Sequence, residues 1–274
     1  MKNSRMPSLI YGTAWKKART AEVTKMALDC GFRAIDTANQ LKHYDEAGVG
    51  EALRAFWAEG HPRETVFLQT KFTSQGGQDH RLPYDPRADL KTQVRQSFES
   101  SLGHLGVEYL DSYLVHGPQG HPGLIESDWE VWEEMEKIHS EGAARLIGIS
   151  NVNAFQLGEL VTHAKIKPHF VQNRCYAARG WDRDIRRVCE NHQIRYQGFS
   201  LLTGNPHEMA SPPVAEAASR LKLTPAQVIF CFAKHLGMIP LTGTTSRAHG
   251  EEDLRSLDAS LLPEELSAIE KIGG

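Results

Sequence analysis

The sequence predicts an α/β fold, a (β/α)8 TIM barrel forming one domain over residues 1–274. Three observations carry this. Eight short apolar or β-branched runs alternate with stretches of helical periodicity, the crossover pattern that parallel strands require. The 274 residues suit eight such units, which typically take about 250 residues. No G-x-G-x-x-G joins a strand to a helix, as an open dinucleotide-binding sheet would have. The nearest match, Gly48-Val49-Gly50 followed by Leu53, lies inside a helical pattern.

The runs, in order, are PSLIYGT (7–13), FRAIDTA (32–38), TVFLQTKF (65–72), YLDSYLVH (109–116), ARLIGIS (144–150), HFVQNR (169–174), IRYQGFS (194–200) and MIPLTGT (238–244). Between them, Thr20 reads as the cap of a helix running to Leu28, which Gly31 stops. Apolar residues recur at helical spacing over 46–56, 90–105, 128–141, 153–164, 182–192 and 213–235. The last splits in two at Thr224-Pro225, a cap followed by Pro at the first helical position. Residues 250–258 and 262–271 supply the final helical pieces.

Composition removes several classes. A net charge of -3 offers no basic field for nucleic acid. No stretch reaches the roughly 18–20 apolar residues of a membrane helix, and the start MKNSRMPSLIYGTAW has no apolar signal region. Cys30, Cys175, Cys189 and Cys231 form no CxxC and read as reduced thiols, so a cytoplasmic protein is expected; nothing in the sequence sets the oligomeric state, and a monomer is the default. The 13 histidines show no HExxH, so no metal is expected, and no G-x-S-x-G marks a serine hydrolase.

A barrel carries its chemistry at the carboxyl ends of its strands. Those ends are Thr13; Asp36 and Thr37; Lys71; His116; Ser150 and Asn151; Gln172 and Asn173; Ser200; Thr244 and Thr245. Ser150 or Thr244 taken alone reads better as a helix cap. Asp36 and Lys71 follow apolar strand interiors on neighbouring strands, where a charge is costly unless paired. They form either a structural ion pair or a pair that tunes a third group. Tyr44, shortly after Asp36, is the candidate. A lysine ammonium ~4 Å away stabilises a phenolate by up to ~4 kcal/mol at an effective dielectric of ~20, which would lower the tyrosine pKa for acid–base work.

The set YGTAW (11–15), GFRAIDTA (31–38), VGEAL (49–53), TKF (70–72), LGVEYLDSYLVHGP (105–118), IGISN (147–151) and VQN (171–173) resembles the aldo-keto reductases from about residue 9 to about 271. The resemblance implies a (β/α)8 barrel that binds a nicotinamide cofactor without a Rossmann motif and reduces an aldehyde or ketone. It implies a tetrad of Asp36, Tyr44, Lys71 and His116, with Tyr44 the proton donor, Lys71 held by Asp36, and His116 orienting the carbonyl. It also implies a cofactor bed. Ser150, Asn151 and Gln172 hold the carboxamide, and Phe199 stacks on the nicotinamide. Thr13, Asp36, Ser200, Leu201, Gly243, Thr244, Thr245, Arg247, His249 and Asp253 complete it. Trp15 and His116 would face a small-molecule carbonyl substrate. Phe199 and Trp15 are alternatively plain packing residues, and Arg247 a surface residue.

Three departures from the family pattern matter. Eight positions separate Asp36 from Tyr44 where five are usual, and counting back from Val49-Gly50 puts His43 in the usual place, so His43 is the alternative proton donor. After Ile239-Pro240, Leu241 and Thr242 stand where a lysine is frequent, and His249 stands where arginine is frequent, leaving NADP favoured and NAD possible. The ending EELSAIEKIGG leaves little room for the long closing loop of many relatives and predicts an open pocket, with 73–89 shaping substrate choice. Two other readings remain: a cofactor-binding regulatory or redox-sensing barrel, and a lyase using Lys71 as a Schiff base.

Overall fold

The structure, a computed structural model, describes residues 6–272. The outer residues of the expected 1–274 domain, including the first five of the opening segment, lie outside the described residues. Eight parallel strands close into a barrel in sequence order. They are β1 (Ile10–Gly12), β2 (Ala34–Asp36), β3 (Phe67–Phe72), β4 (Leu110–Val115), β5 (Ala144–Ser150), β6 (Phe170–Arg174), β7 (Arg195–Phe199) and β8 (Ile239–Thr242). The helices are α1 (Thr20–Cys30), α2 (Glu46–Ala58), α3 (Leu90–Leu105), α4 (Glu126–Ser140), α5 (Ala154–His163), α6 (Arg183–Asn191), α7 (Pro206–Met209), α8 (Pro212–Leu221), α9 (Pro225–His235), α10 (Arg247–Arg255) and α11 (Pro263–Glu270). No helix among the described residues is long and apolar enough to cross a membrane.

The strand period of two sorts each run between two cores. Ile10, Ala34, Phe67, Leu114, Phe170, Ile239 and Leu241 point inward and fill the barrel. Tyr11, Ile35, Leu68, Tyr113, Ile147 and Val171 point outward, under the helices. Gly148 on β5 lets the barrel wall close, because a Cβ there would overlap the Phe170 carbonyl oxygen and stand 2.7 Å from Leu114 Cδ2.

Several boundaries differ from the sequence reading. The N-cap of α1 is Arg19, and Thr20 is the first helical residue, its hydroxyl donating back to the Lys17 carbonyl at 2.7 Å. α10 begins at Arg247 rather than 250, because Ser246 caps it through the His249 N–H. α7 had no expectation; its four residues are too few for a periodicity. Thr224 and Gln227 form a capping box at α9, dividing 213–235 as the Thr-Pro step suggested.

Gly48-Val49-Gly50 sits in α2, and its glycines serve packing. A Cβ on Gly50 would overlap the His104 carbonyl oxygen at the end of α3. Backbone cannot yield as a side-chain tip can. Gly50→Ala is therefore expected to destabilise the fold by about 1–3 kcal/mol despite alanine's better helix propensity, measured by denaturant unfolding.

Candidate active site

The inward positions at the carboxyl ends of the strands are polar. Asp36 faces Gln69 across the β2–β3 ladder, and Gln172 faces Gln197 across β6–β7. The four close a network inside the barrel. Gln69 Nε2 donates to Asp36 Oδ1 at 2.7 Å and to Gln197 Oε1 at 2.8 Å. Gln172 Nε2 donates to the same two oxygens at 3.1 and 2.9 Å, and Gln197 Nε2 returns a bond to Gln69 Oε1 at 2.9 Å. Lys71, two residues along β3 from Gln69 and fully buried, donates to both Asp36 oxygens at 2.7 and 2.6 Å and to the Thr37 carbonyl at 2.8 Å. The buried pair is thus fully hydrogen-bonded, the condition for keeping two charges out of water.

Above it lies a cavity of about 860 Å³. Tyr44 reaches it from a tight turn. The N–H groups of His43 and Tyr44 both donate to the Gln40 carbonyl, and Asp45 then caps α2 by accepting from the Gly48 N–H at 3.0 Å. The Tyr44 ring stands 5.4 Å from Lys71 Nζ and edge-on to His116 at 5.8 Å between centroids. Among the described residues no side chain hydrogen-bonds its hydroxyl. His43 also lines the cavity, but its ring lies 3.7 Å from that of Trp15, and its Nδ1 is buried without a partner.

Electrostatics correct one expectation. Tyr44 is pushed well above its ordinary pKa by burial and by the nearby Asp36 carboxylate, rather than pulled down by Lys71. The Lys71 donors are spent on Asp36 and Thr37, and burial lowers its own pKa against the opposing pull of Asp36. Burial, with the Lys71 charge and then His43, pushes His116 down to about 3, so its imidazole is neutral.

The far wall carries amides and an aromatic. Ser150 Oγ donates to the Gln172 carbonyl at 2.6 Å, and Asn151 Nδ2 to the His116 carbonyl at 2.8 Å. Asn151 adopts φ 54°, which asparagine tolerates well. Among the described residues no side chain donates to Asn151 Oδ1 or Gln172 Oε1, which leaves two acceptors at the cavity. Phe199, Ser200, Leu201, Gly243, Thr244, His249 and Asp253 continue the wall. Asp253 accepts from Thr242 Oγ1 at 2.7 Å, and burial raises it to about 6.

Not every candidate lines this cavity. Thr13 is buried behind it, donating to the Asp36 carbonyl at 3.0 Å, and Lys71 lies beneath Asp36. Thr245 is exposed and off the wall. So is Arg247, 54% exposed and turned toward Asp29 and Glu251 at 3.9 Å. The 73–89 segment contributes no lining residue; Gln78 and Arg81 tie it back to Asn39 and Leu41, and Tyr84 bonds within the segment to the Thr73 carbonyl. The segment reaches the cavity through the 39–44 turn and, at its first residue, through the contact of Thr73 with His116.

Other lining residues escaped the sequence reading. Lys16 bends in to donate to the Gly243 carbonyl, and Arg174 lies over Phe199 at 5.5 Å. Gln40, Leu202, Thr203 and Glu252 also contribute. Gln69 and Gln197 had a legible signal, as polar residues at inward positions of otherwise apolar strands.

The aldo/keto reductase family model matches residues 8–273. The chain belongs to the aldo/keto reductase family. It is therefore an oxidoreductase of the carbonyl-reducing kind. Among curated relatives of this aldo/keto reductase, the 9,11-endoperoxide prostaglandin H2 reductase of Trypanosoma cruzi is 30% identical over 98% of this chain and 88% of its own. Prostaglandin F synthase 1 of Bos taurus is 27% identical over 97% and 87%. The solved aldose reductase of Schistosoma japonicum superposes with a TM-score of 0.82 at 26% identity, over 99% of this chain and 90% of its own. The Bombyx mori aldo-keto reductase in complex with NADP has a TM-score of 0.82 at 24% identity, over 97% and 89%.

Proposed function

We propose that this aldo/keto reductase, acting as one barrel domain, uses NADPH to reduce an aldehyde or ketone, with Tyr44 as general acid. The observation that carries the reading is the convergence of Tyr44 and His116 over the buried Asp36–Lys71 pair at the floor of one cavity. The Bombyx mori barrel was solved with NADP, which is a property of that protein. For this chain the support lies in its own wall. The unpartnered amide oxygens of Asn151 and Gln172 suit the N–H groups of a carboxamide, and Phe199 offers a ring face for stacking. Thr244 and His249 are the wall residues we assign to the adenosine end, with NADP preferred and NAD accepted.

When bound, NADPH supplies the hydride for the carbonyl carbon. Tyr44 Oη gives its proton to the carbonyl oxygen as negative charge develops there, and His116 donates a second hydrogen bond to that oxygen. Lys71, anchored by Asp36, holds a positive charge beneath the phenolate that remains. Trp15, 65% exposed over His43, forms the substrate rim. Lys71, sealed under Asp36, offers no amine for a Schiff base.

The raised Tyr44 pKa has a consequence of definite sign. Reduction needs the phenol protonated, and it remains so throughout the neutral range. Alcohol oxidation needs the phenolate, whose fraction rises with pH. Steady-state rates should thus be flat for reduction between about pH 6 and 9 and climb with pH for oxidation. A reduction limb falling with an apparent pKa near 7 would point to a histidine donor.

We take the enzyme to be a cytoplasmic monomer, its four free thiols suiting a reducing compartment. The test of the function is oxidation of NADPH, with NADH in parallel, against a panel of aldehydes, ketones, sugars and quinones. Turnover with at least one carbonyl class supports the reading. Tight cofactor binding with no turnover across the panel would favour a regulatory barrel.

A further inference from the structure

Thr73 follows β3 directly, two residues beyond Lys71, and is 4% exposed. Its Oγ1 lies 2.7 Å from Nδ1 of His116, the residue after β4. The rest of Thr73 is held in place. Its carbonyl accepts from Tyr84 Oη at 2.9 Å and from Gln78 Nε2 at 3.3 Å. Its methyl packs where Gly77 has no side chain; a Cβ on Gly77 would stand 2.7 Å from Thr73 Cγ2. The space at Gly77 accommodates the methyl in the rotamer that turns the hydroxyl to His116, and the hydrogen bond itself holds that rotamer.

The direction of the bond follows from accounting for protons. Among the described residues, the hydroxyl has no hydrogen-bond partner other than Nδ1. If Nδ1 carried the proton and donated, the threonine hydrogen would be left buried without an acceptor, which is costly. The hydroxyl therefore donates. A neutral imidazole that accepts at Nδ1 carries its proton on Nε2. With Nδ1 turned to Thr73, the Nε2 edge is the one that His116 offers to the cavity.

We propose that Thr73 is a positioning residue that fixes the Nε2–H tautomer and the ring plane of His116, so that the imidazole meets a carbonyl oxygen as a hydrogen-bond donor. The tautomer stands on the contact itself, whereas its catalytic value rests on the carbonyl-orienting role given to His116 above. A hydroxyl at position 73 is needed; the methyl is not. Thr73→Ser should behave as wild type, and Thr73→Val, nearly isosteric, should not.

The test is nitrogen-15 NMR of the holoenzyme labelled at its histidines, with the His116 resonances assigned by their disappearance in His116→Gln. Wild type and Thr73→Ser should show a protonated Nε2 and an unprotonated Nδ1. Thr73→Val should show mixed tautomers and roughly a five- to tenfold lower kcat for reduction, the equivalent of one neutral hydrogen bond, with NADPH binding unchanged. A proton on Nδ1 in wild type overturns the proposal, as does a Thr73→Val enzyme with wild-type tautomer and rate. If Thr73→Val does not fold, the wild-type spectrum and the serine variant still decide. Unchanged reduction in His116→Gln would instead overturn the role of His116, with the tautomer assignment judged separately by the spectrum.

Discussion

Tyr44→Phe is expected to lower the reduction rate by about 10²–10⁴-fold, the usual contribution of a positioned general acid, while leaving NADPH affinity and thermal stability near wild type. The selectivity follows from the structure. The Tyr44 hydroxyl faces the cavity and has no side-chain partner among the described residues, so its removal strands no donor or acceptor. Phenylalanine keeps the ring against His116 and over Lys71, so the 39–44 turn retains its packing. Cofactor titration by fluorescence quenching separates binding from turnover. His43→Ala is the matched control, expected to lose less than about tenfold through the Trp15 contact. A near-normal Tyr44→Phe beside an inactive His43→Ala would transfer the acid to His43.

Lys71→Met should cost both stability and activity. It leaves the Asp36 carboxylate buried with only the Gln69 and Gln172 amides as side-chain donors, and breaking a buried pair from one side typically costs about 3–5 kcal/mol. For a chain of this length that corresponds to a melting temperature lower by roughly 10 °C. Activity should fall independently. A unit charge 5.4 Å from the phenolate ring is worth up to ~3 kcal/mol at an effective dielectric of ~20, about 10²-fold in rate. The double variant Asp36→Leu/Lys71→Met removes both charges and should recover much of the stability but none of the activity. Recovery of activity as well would reduce the pair to a structural ion pair.

The barrel was legible because its signals are local. Strand alternation, Gly31 after α1 and the Thr224-Pro225 cap each act within a few residues. The strand-end rule then picked out Asp36, His116, Ser150 and Gln172, all of which line the cavity, and Lys71 directly beneath it. What escaped depends on contacts distant in sequence. Gln69 and Gln197, 128 residues apart, meet only because the barrel closes. Lys16 enters the cavity through a carbonyl supplied by the loop after β8. Arg247 has the charge for a phosphate, but as the first residue of α10 it turns to Asp29 on α1, which no spacing rule reports. The expected drop in the Tyr44 pKa failed for a physical reason. The Lys71 charge is opposed by the carboxylate it grips and does not overcome the burial that raises the phenol.

The proposed reaction turns on hydride transfer from a nicotinamide to a carbonyl carbon in this barrel. It is tested most directly by supplying NADPH carrying deuterium at the transferable ring position, using each face in turn, with a carbonyl substrate the enzyme turns over, and weighing the product alcohol. One deuterium is expected on the carbinol carbon from one face only, and the Tyr44→Phe enzyme is expected to form the same product far more slowly. A product free of deuterium from both faces, or cofactor bound but never oxidised, would contradict the proposed transfer.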